Sequence, residues 1–103
     1  MKSSNKTLIC LLTQNDKDIF TNHQLSTTEK LTKEKNFHVI YLYNALLINN
    51  DISNSDIDEL NYLLEQYKEI NTLIFVYNKQ QLCLNSKINK SFNHKKYKII
   101  MIS

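Results

Sequence analysis

The sequence predicts an α/β fold, a small three-layer sandwich with a mostly parallel central sheet of four to five strands. Four apolar runs, rich in Ile, Val, Phe and Tyr, occupy positions 7–12, 37–43, 73–77 and 97–102. The runs are apolar throughout rather than alternating, which is typical of parallel strands covered on both faces by helices. Because 103 residues suit one core, we expect a single domain over 1–103.

The segment 56–70 gives the clearest helical pattern in the chain. Apolar side chains recur there at steps of three and four residues, at Ile57, Leu60, Leu63, Leu64, Tyr67 and Ile70. Ser55 is the predicted N-cap, and the acidic residues that follow it favour the positive end of a helix. A helix between the second and third strands supplies the crossover that parallel strands require.

Two further segments predict weaker helices. Thr21 and Gln24 form a capping-box pattern at the start of 21–35, where Leu25, Leu31 and Thr28 supply the apolar face. The stretch 79–94 has only scattered apolar residues and predicts a short helix with irregular flanks. The resulting order alternates strands and helices and calls for right-handed crossovers.

The composition excludes several classes of site. The chain has no Gly, Pro or Trp. Since phosphate-binding loops need glycine for positive φ and close ligand approach, a Walker loop and a dinucleotide fingerprint are excluded. Turns must instead use the numerous Asn and Asp residues. We expect no bound cofactor.

The cysteines and the apolar runs indicate a cytoplasmic protein. Cys10 and Cys83 are too few and too widely spaced for a disulfide scaffold or a metal knuckle. The first apolar run is shorter than a signal-peptide core, and no run approaches the length of a membrane span. We therefore expect a reducing cytosol and no membrane association.

Ligands of open α/β sheets bind beyond the carboxyl ends of the strands, so the loops after the predicted strands are the candidate sites. These loops cover 13–18, 44–54 and 78–85, with Asn44, Asn78 and Lys79 at the strand ends. The first loop holds an acidic pair, Asp16 and Asp18, as in receiver domains. Those domains also need an acceptor Asp where this chain has Tyr77-Asn78-Lys79, which favours a solvated turn.

Cys83 is the candidate catalytic residue. It follows the third strand, where exposure beside Lys79 would favour a reactive thiolate. The alternative is a small buried apolar residue between two leucines, as free Cys often is. Cys10 lies within the first strand and is expected in the core. The three histidines have no spacing that brings two together, so no metal site is predicted.

Lysines accumulate in the last quarter of the chain, where no acidic residue accompanies them. The candidate residues for binding a partner or nucleic acid are Lys87, Lys90, Lys95, Lys96 and Lys98, with Lys79 nearby. Such a strip, with aromatic residues interleaved, is suited to RNA phosphates or an acidic protein. The alternative is a solvated surface with no binding role. Every basic side chain in this chain is Lys, so lysines can accumulate in a segment without a functional demand.

The second strand and the residues after it resemble the DsrE-like sulfur-relay family, which includes the TusB, TusC and TusD subunits. In that family a hydrophobic strand runs into an Asp-Gly-Val step, and here 40–43 runs into Asn44-Ala45-Leu46. A polar stretch, an amphipathic helix and a third strand then follow in both. The resemblance covers nearly the whole chain and implies a DsrE-like or flavodoxin-like fold.

One departure from the family bears on function. The sulfur-accepting subunits have a cysteine at the end of the third strand, where this chain has Val76 or Tyr77. The resemblance therefore implies a diverged or non-catalytic subunit of a relay for tRNA thiolation, without its own active cysteine unless Cys83 substitutes. It implies sister subunits in a hetero- or homo-oligomer and possible tRNA contact. A non-enzymatic binding module and a simple oligomer building block remain alternatives.

Overall fold

The computed structural model describes residues 5–14, 22–34 and 36–103. The elements are β1 (Asn5–Thr13), α1 (Asn22–Lys33), β2 (Phe37–Ile48), β3 (Asp51–Ile52), α2 (Asn54–Gln66), β4 (Thr72–Val76), α3 (Ile88–Ser91) and β5 (Lys98–Ile102). They form one sheet in the order β3-β2-β1-β4-β5, in which only β3 runs antiparallel to its neighbour. The predicted α/β class with a mostly parallel sheet is confirmed.

The central strands β1 and β4 are buried on both faces, which explains their continuous apolar sequence. Leu8, Cys10 and Leu12 pack with α2 and α3 on one face, while Ile9 and Leu11 pack with α1 on the other. Fully burying one such Leu or Ile stabilises the fold by roughly 1.5–3 kcal/mol. The sheet core therefore holds the strand ends, and the connections beyond them, in place.

Helix α1 packs on the sheet through a partly polar face. Gln24, Thr28 and Leu31 are buried, whereas Leu25, which was expected on the inner face, is 46% exposed. The Gln24 side-chain amide donates to the backbone oxygen of Leu12 at 2.9 Å. This contact explains why the apolar pattern predicted the helix only weakly. The predicted cap Thr21 lies outside the described residues.

Strand β2 is longer than predicted and ends in a hairpin. It continues five residues past Tyr43 and turns into the short β3 through Asn49 and Asn50, whose φ angles are 54° and 64°. Two successive left-handed residues are typical of a type I′ turn, which Asn accepts where glycine is absent. The segment expected as loop 44–54 is thus mostly sheet, turn and helix start.

Helix α2 is confirmed, with shifted ends. Ser53 is its N-cap, and the Ser53 hydroxyl accepts a hydrogen bond from the Asp56 backbone N–H at 3.1 Å. The predicted cap Ser55 lies inside the helix. The helix ends at Gln66, although Ile70 beyond it is buried as the pattern predicted. None of the described helices is long and apolar enough to span a membrane.

The last quarter of the chain contains the expected short helix, α3. Its buried Ile88 and the following Phe92 anchor it to the core, and the Phe92 ring lies 5.6 Å from that of Phe75, centroid to centroid. The connection from β4 to α3 lies at the carboxyl edge of the sheet. The connection from α3 to β5 returns the chain to the amino edge.

Candidate functional site

The order of the parallel strands creates a topological switch point at the carboxyl edge of the sheet, between β1 and β4. From β1 the chain crosses to β2 on one side, whereas β4 lies on the other side of β1. The four parallel strands thus follow the flavodoxin-like order, in which ligands bind beyond the carboxyl ends at this point. The connection after β4, residues 77–87, supplies most of the described residues that line a pocket there.

The hairpin holds this connection in place. The backbone N–H of Cys83 donates to the backbone oxygen of Asn50 at 2.7 Å. The Asp51 carboxylate accepts hydrogen bonds from the Ser86 hydroxyl and, at 3.1 Å, from the Lys87 backbone N–H. At the start of the connection, the Asn78 side chain accepts from the Gln80 N–H at 2.9 Å and forms a turn. Residues of the hairpin and of β3 therefore hold the connection that forms the site in place.

The bracing contacts also set the charge state of Asp51. Partial burial acts to raise the pKa of Asp51, but the hydrogen bonds from Ser86, Lys87 and Ile52 and the Lys87 charge outweigh it. The net effect lowers the pKa of Asp51 below its ordinary value, because these donors stabilise the anion. The carboxylate that holds the connection is thus ionised at neutral pH.

Cys83 lines an open pocket of about 450 Å³ between this connection, α3 and β5. The thiol residue is half-buried, and neighbouring Leu84 is fully exposed. The pocket walls combine apolar and polar side chains: Tyr77, Lys79, Leu82, Leu84, Ser86, Ile88, Asn89 and Met101. A thiol, a cation and hydrogen-bonding groups therefore share one cavity at the carboxyl edge.

A second pocket, of about 430 Å³, adjoins the same strand ends. It is lined by His23, Tyr77, Asn78, Lys79 and Ser103. The His23 Nε2 atom lies 2.9 Å from the backbone oxygen of Ser103, so Nε2 carries the proton in this contact. Tyr77 and Lys79 line both pockets, which places these two residues at the centre of the candidate site.

Cys10 is unsuited to the same chemistry. Its side chain is fully buried in the core, as predicted. Burial raises the pKa of the Cys10 thiol well above its ordinary value, and the nearby Asp56 charge raises it further. The thiol therefore stays protonated and out of reach of solvent, which makes Cys83 the accessible cysteine.

The remaining predicted site residues do not form one surface. Asn44 lies within β2, paired with Leu11, rather than in a strand-end loop. The Lys87 side chain donates to the Asn54 side chain at 2.8 Å near the carboxyl edge, and Lys90 is exposed on α3. The other three predicted lysines, Lys95, Lys96 and Lys98, lie at the opposite, amino edge, where β5 begins. The five lysines therefore lie at both edges of the sheet rather than in one strip.

Sequence reasoning missed the carboxylates that build the carboxyl edge. Asp56 accepts hydrogen bonds from the Tyr43 hydroxyl at 2.7 Å, the Leu46 N–H at 3.1 Å and the Ser53 hydroxyl at 2.9 Å. Burial, followed by this bond to Asp56, raises the pKa of Tyr43 well above its ordinary value. The Ser53-x-x-Asp56 spacing was a usable capping signal, whereas the partners of Asp51 are too distant in sequence to foresee.

Comparison of the chain with protein-family models, curated proteins and solved structures finds no match. Among the described residues, no group of three or more His, Cys, Asp or Glu side chains could hold a metal ion. The geometry of the pocket around Cys83 is therefore the basis for assigning a function.

Proposed function

We propose that this chain is a DsrE-like subunit of a sulfur relay in which Cys83 carries the sulfur. The observation that carries the proposal is the position of Cys83 in an open pocket at the carboxyl edge of the sheet. The family position for the sulfur-carrying cysteine holds Val76 or Tyr77 instead. Because Tyr77 lines the same pocket, Cys83 supplies a thiol to the cavity that the family position borders.

The surroundings of Cys83 suit the transfer of sulfane sulfur. Its backbone is fixed by Asn50, so the thiol has a defined location, while its half-buried side chain remains accessible. Lys79 brings a cation to pair with an anionic persulfide. Leu84, fully exposed beside the thiol, offers an apolar contact for a donor or acceptor protein.

The transfer is a balanced exchange between sulfur atoms. The Cys83 thiolate attacks the terminal sulfur of a donor persulfide; a new S–S bond forms on Cys83, the donor S–S bond breaks, and the donor leaves as a thiolate. In the second step an acceptor thiolate attacks the terminal sulfur on Cys83 and releases the Cys83 thiolate. Each step moves one sulfur atom without an external oxidant or reductant.

Persulfide loading tests this proposal. The protein is incubated with a cysteine desulfurase and cysteine, and its peptides are analysed by mass spectrometry without reduction. We expect the peptide that contains Cys83 to gain one sulfur atom. Cys83→Ser should abolish the gain and Cys10→Ala should retain it. No gain in the folded protein, or a gain on Cys10, would overturn the proposal.

The role of Lys79 has its own matched test. Lys79→Gln removes the pocket cation, and we expect it to slow sulfur loading of Cys83 several-fold. Lys90→Gln removes an exposed lysine from α3, outside the pocket lining, and should leave the loading rate unchanged. Equal rates for the two variants would remove Lys79 from the mechanism.

A further inference from the structure

The amino edge of the sheet is assembled by three backbone hydrogen bonds. The N–H of Asn5 donates to the oxygen of Asn36, that of Asn71 to Lys6, and that of Lys98 to Asn71, each at 2.9 Å. These bonds join the starts of β1, β4 and β5 and the residue before β2 into one continuous rim. Residues far apart in sequence therefore become neighbours at this edge.

Lysines from separate parts of the chain converge on this rim. Among the described residues, six lie at the strand starts, at the end of α1 or in the connections that lead into the strands: Lys6, Lys33, Lys68, Lys95, Lys96 and Lys98. All are exposed except Lys6, which is half-buried. The carboxylates in the same connections are Glu34 and Glu69. We call these six lysines the basic edge.

A lysine-rich composition alone does not explain the basic edge, because the two ends of the sheet differ in charge. Among the described residues at the opposite end of the sheet, around Cys83, α3 and the start of α2, the four carboxylates Asp51, Asp56, Asp58 and Glu59 outnumber the three lysines Lys79, Lys87 and Lys90. The fold thus separates positive from negative charge along the strands. Such a polarised field steers anionic partners to one end of the molecule.

The chemistry of the basic edge favours nucleic acid over protein or membrane. Ile70 and Thr72 are buried at this edge, and the exposed large hydrophobic residues of the described chain lie elsewhere. Protein interfaces need an apolar core, and membrane insertion needs apolar side chains. The edge instead offers exposed Asn36 and Asn71 amides and the Tyr97 ring, 5.4 Å from the Lys96 Nζ.

One of the basic-edge lysines is held in position. The Lys6 Nζ lies 2.9 Å from the Nδ1 atom of His38. Because an ammonium group only donates, Nδ1 accepts, and Nε2 of the neutral ring carries the proton. This contact holds the Lys6 ammonium group at the rim, and the His38 N–H supplies a further donor.

We propose that the basic edge binds the phosphodiester backbone of a nucleic acid, independently of base sequence. Lysine ammonium groups neutralise phosphates and release condensed counterions, while the amides and the tyrosine ring contact sugars and bases. RNA and DNA share this backbone chemistry. This site does not include Cys83, so the proposal stands or falls separately from sulfur transfer.

Fluorescence anisotropy over a salt series tests the proposal, with a labelled RNA stem-loop, the same sequence as DNA, and polyglutamate as a competitor. We expect binding to weaken steeply with salt. Lys95→Gln with Lys96→Gln should weaken it about tenfold and reduce the salt slope by roughly 1.4–1.8, the loss of two phosphate contacts. Lys87→Gln with Lys90→Gln is the charge-matched control and should change affinity less than about twofold.

The competing ligands distinguish recognition of the phosphodiester backbone from recognition of RNA alone or of an acidic polypeptide. Equal affinity for RNA and DNA supports backbone recognition alone, and stronger RNA binding adds contact with the 2′-hydroxyl. No binding, salt-independent binding or equal weakening by both double variants would overturn the proposal. Competition by polyglutamate as strong as that by unlabelled RNA would assign the edge to acidic polypeptides instead. Cys83→Ser should bind as the unmodified chain does.

Discussion

The two edges of the sheet use charge differently. At the carboxyl edge, Asp51 and Asp56 are enclosed by hydrogen bonds that join β2, β3, α2 and the connection after β4. At the amino edge, backbone hydrogen bonds hold the strands, and most of the lysines extend into solvent. Charges at the first edge stabilise the architecture, whereas those at the second remain available to a partner. We therefore expect substitutions at the carboxyl edge to lower the free energy of unfolding. Substitutions at the amino edge should weaken binding and leave the free energy of unfolding nearly unchanged.

Asp56→Ala should give the largest loss of stability. It leaves the Tyr43 hydroxyl and the Leu46 N–H without their acceptor and removes a contact of the helix cap. We expect the free energy of unfolding to fall by about 3 kcal/mol, measured by urea denaturation. The control is Asp58→Ala, an exposed residue on the same helix, with a change below about 0.5 kcal/mol. Equal effects would contradict the structural role of Asp56.

Asp51→Asn should cost about 2 kcal/mol at neutral pH, because an amide nitrogen cannot accept the bonds that the carboxylate accepts. The folded state lowers the pKa of Asp51. Its contribution is therefore present above the ordinary carboxyl pKa and is lost as pH falls through the lowered value. In urea titrations, the advantage of the unmodified chain over Asp51→Asn should shrink on acidification. A difference independent of pH would contradict this account.

Asn49→Val tests the turn that positions the bracing residues. A β-branched side chain is disfavoured at the φ of 54° found at Asn49, so we expect a loss of about 1 kcal/mol. Asn49→Asp, which tolerates the same conformation, is the matched control and should be nearly neutral. Thermal unfolding of the two variants gives the comparison. If both unfold at the same temperature, the turn contributes little to the hairpin.

The double change Lys95→Gln with Lys96→Gln should have the smallest effect on stability. Both side chains are exposed, so the free energy of unfolding should change by less than about 0.5 kcal/mol. Urea denaturation alongside the nucleic-acid titration separates loss of binding from loss of folding. A large destabilisation would place these lysines among the structural charges and remove the contrast between the edges.

The parts of the fold that follow from local pattern could be predicted from the sequence. The apolar runs identify the four parallel strands, and the spacing of leucines identifies α2. The two-residue strand β3 could not be predicted in this way, because its hairpin uses an Asn-Asn turn in place of the Asn-Gly or Asp-Gly signal. The buried Gln24 was missed because its partner is a backbone oxygen on another element.

The candidate site depends more heavily on distant contacts. The sequence identified Cys83 as the candidate for an accessible thiol. Its pocket, however, exists because Asn50 and Asp51 hold the connection that contains Cys83. The bond between Asp51 and Ser86 joins residues 35 positions apart. The basic edge likewise joins lysines from different connections. A lysine count along the chain therefore grouped Lys87 with Lys95, although the fold places them at opposite ends of the strands.

Counting the reactive thiols at neutral pH tests the central claim most directly. With a chromogenic disulfide reagent, the folded chain should react rapidly at one cysteine, and the urea-unfolded chain at both. The rapid reaction should disappear in Cys83→Ser and persist in Cys10→Ala. A folded chain in which neither thiol reacts, or in which Cys10 reacts as fast as Cys83, would contradict an open thiol site at the carboxyl edge.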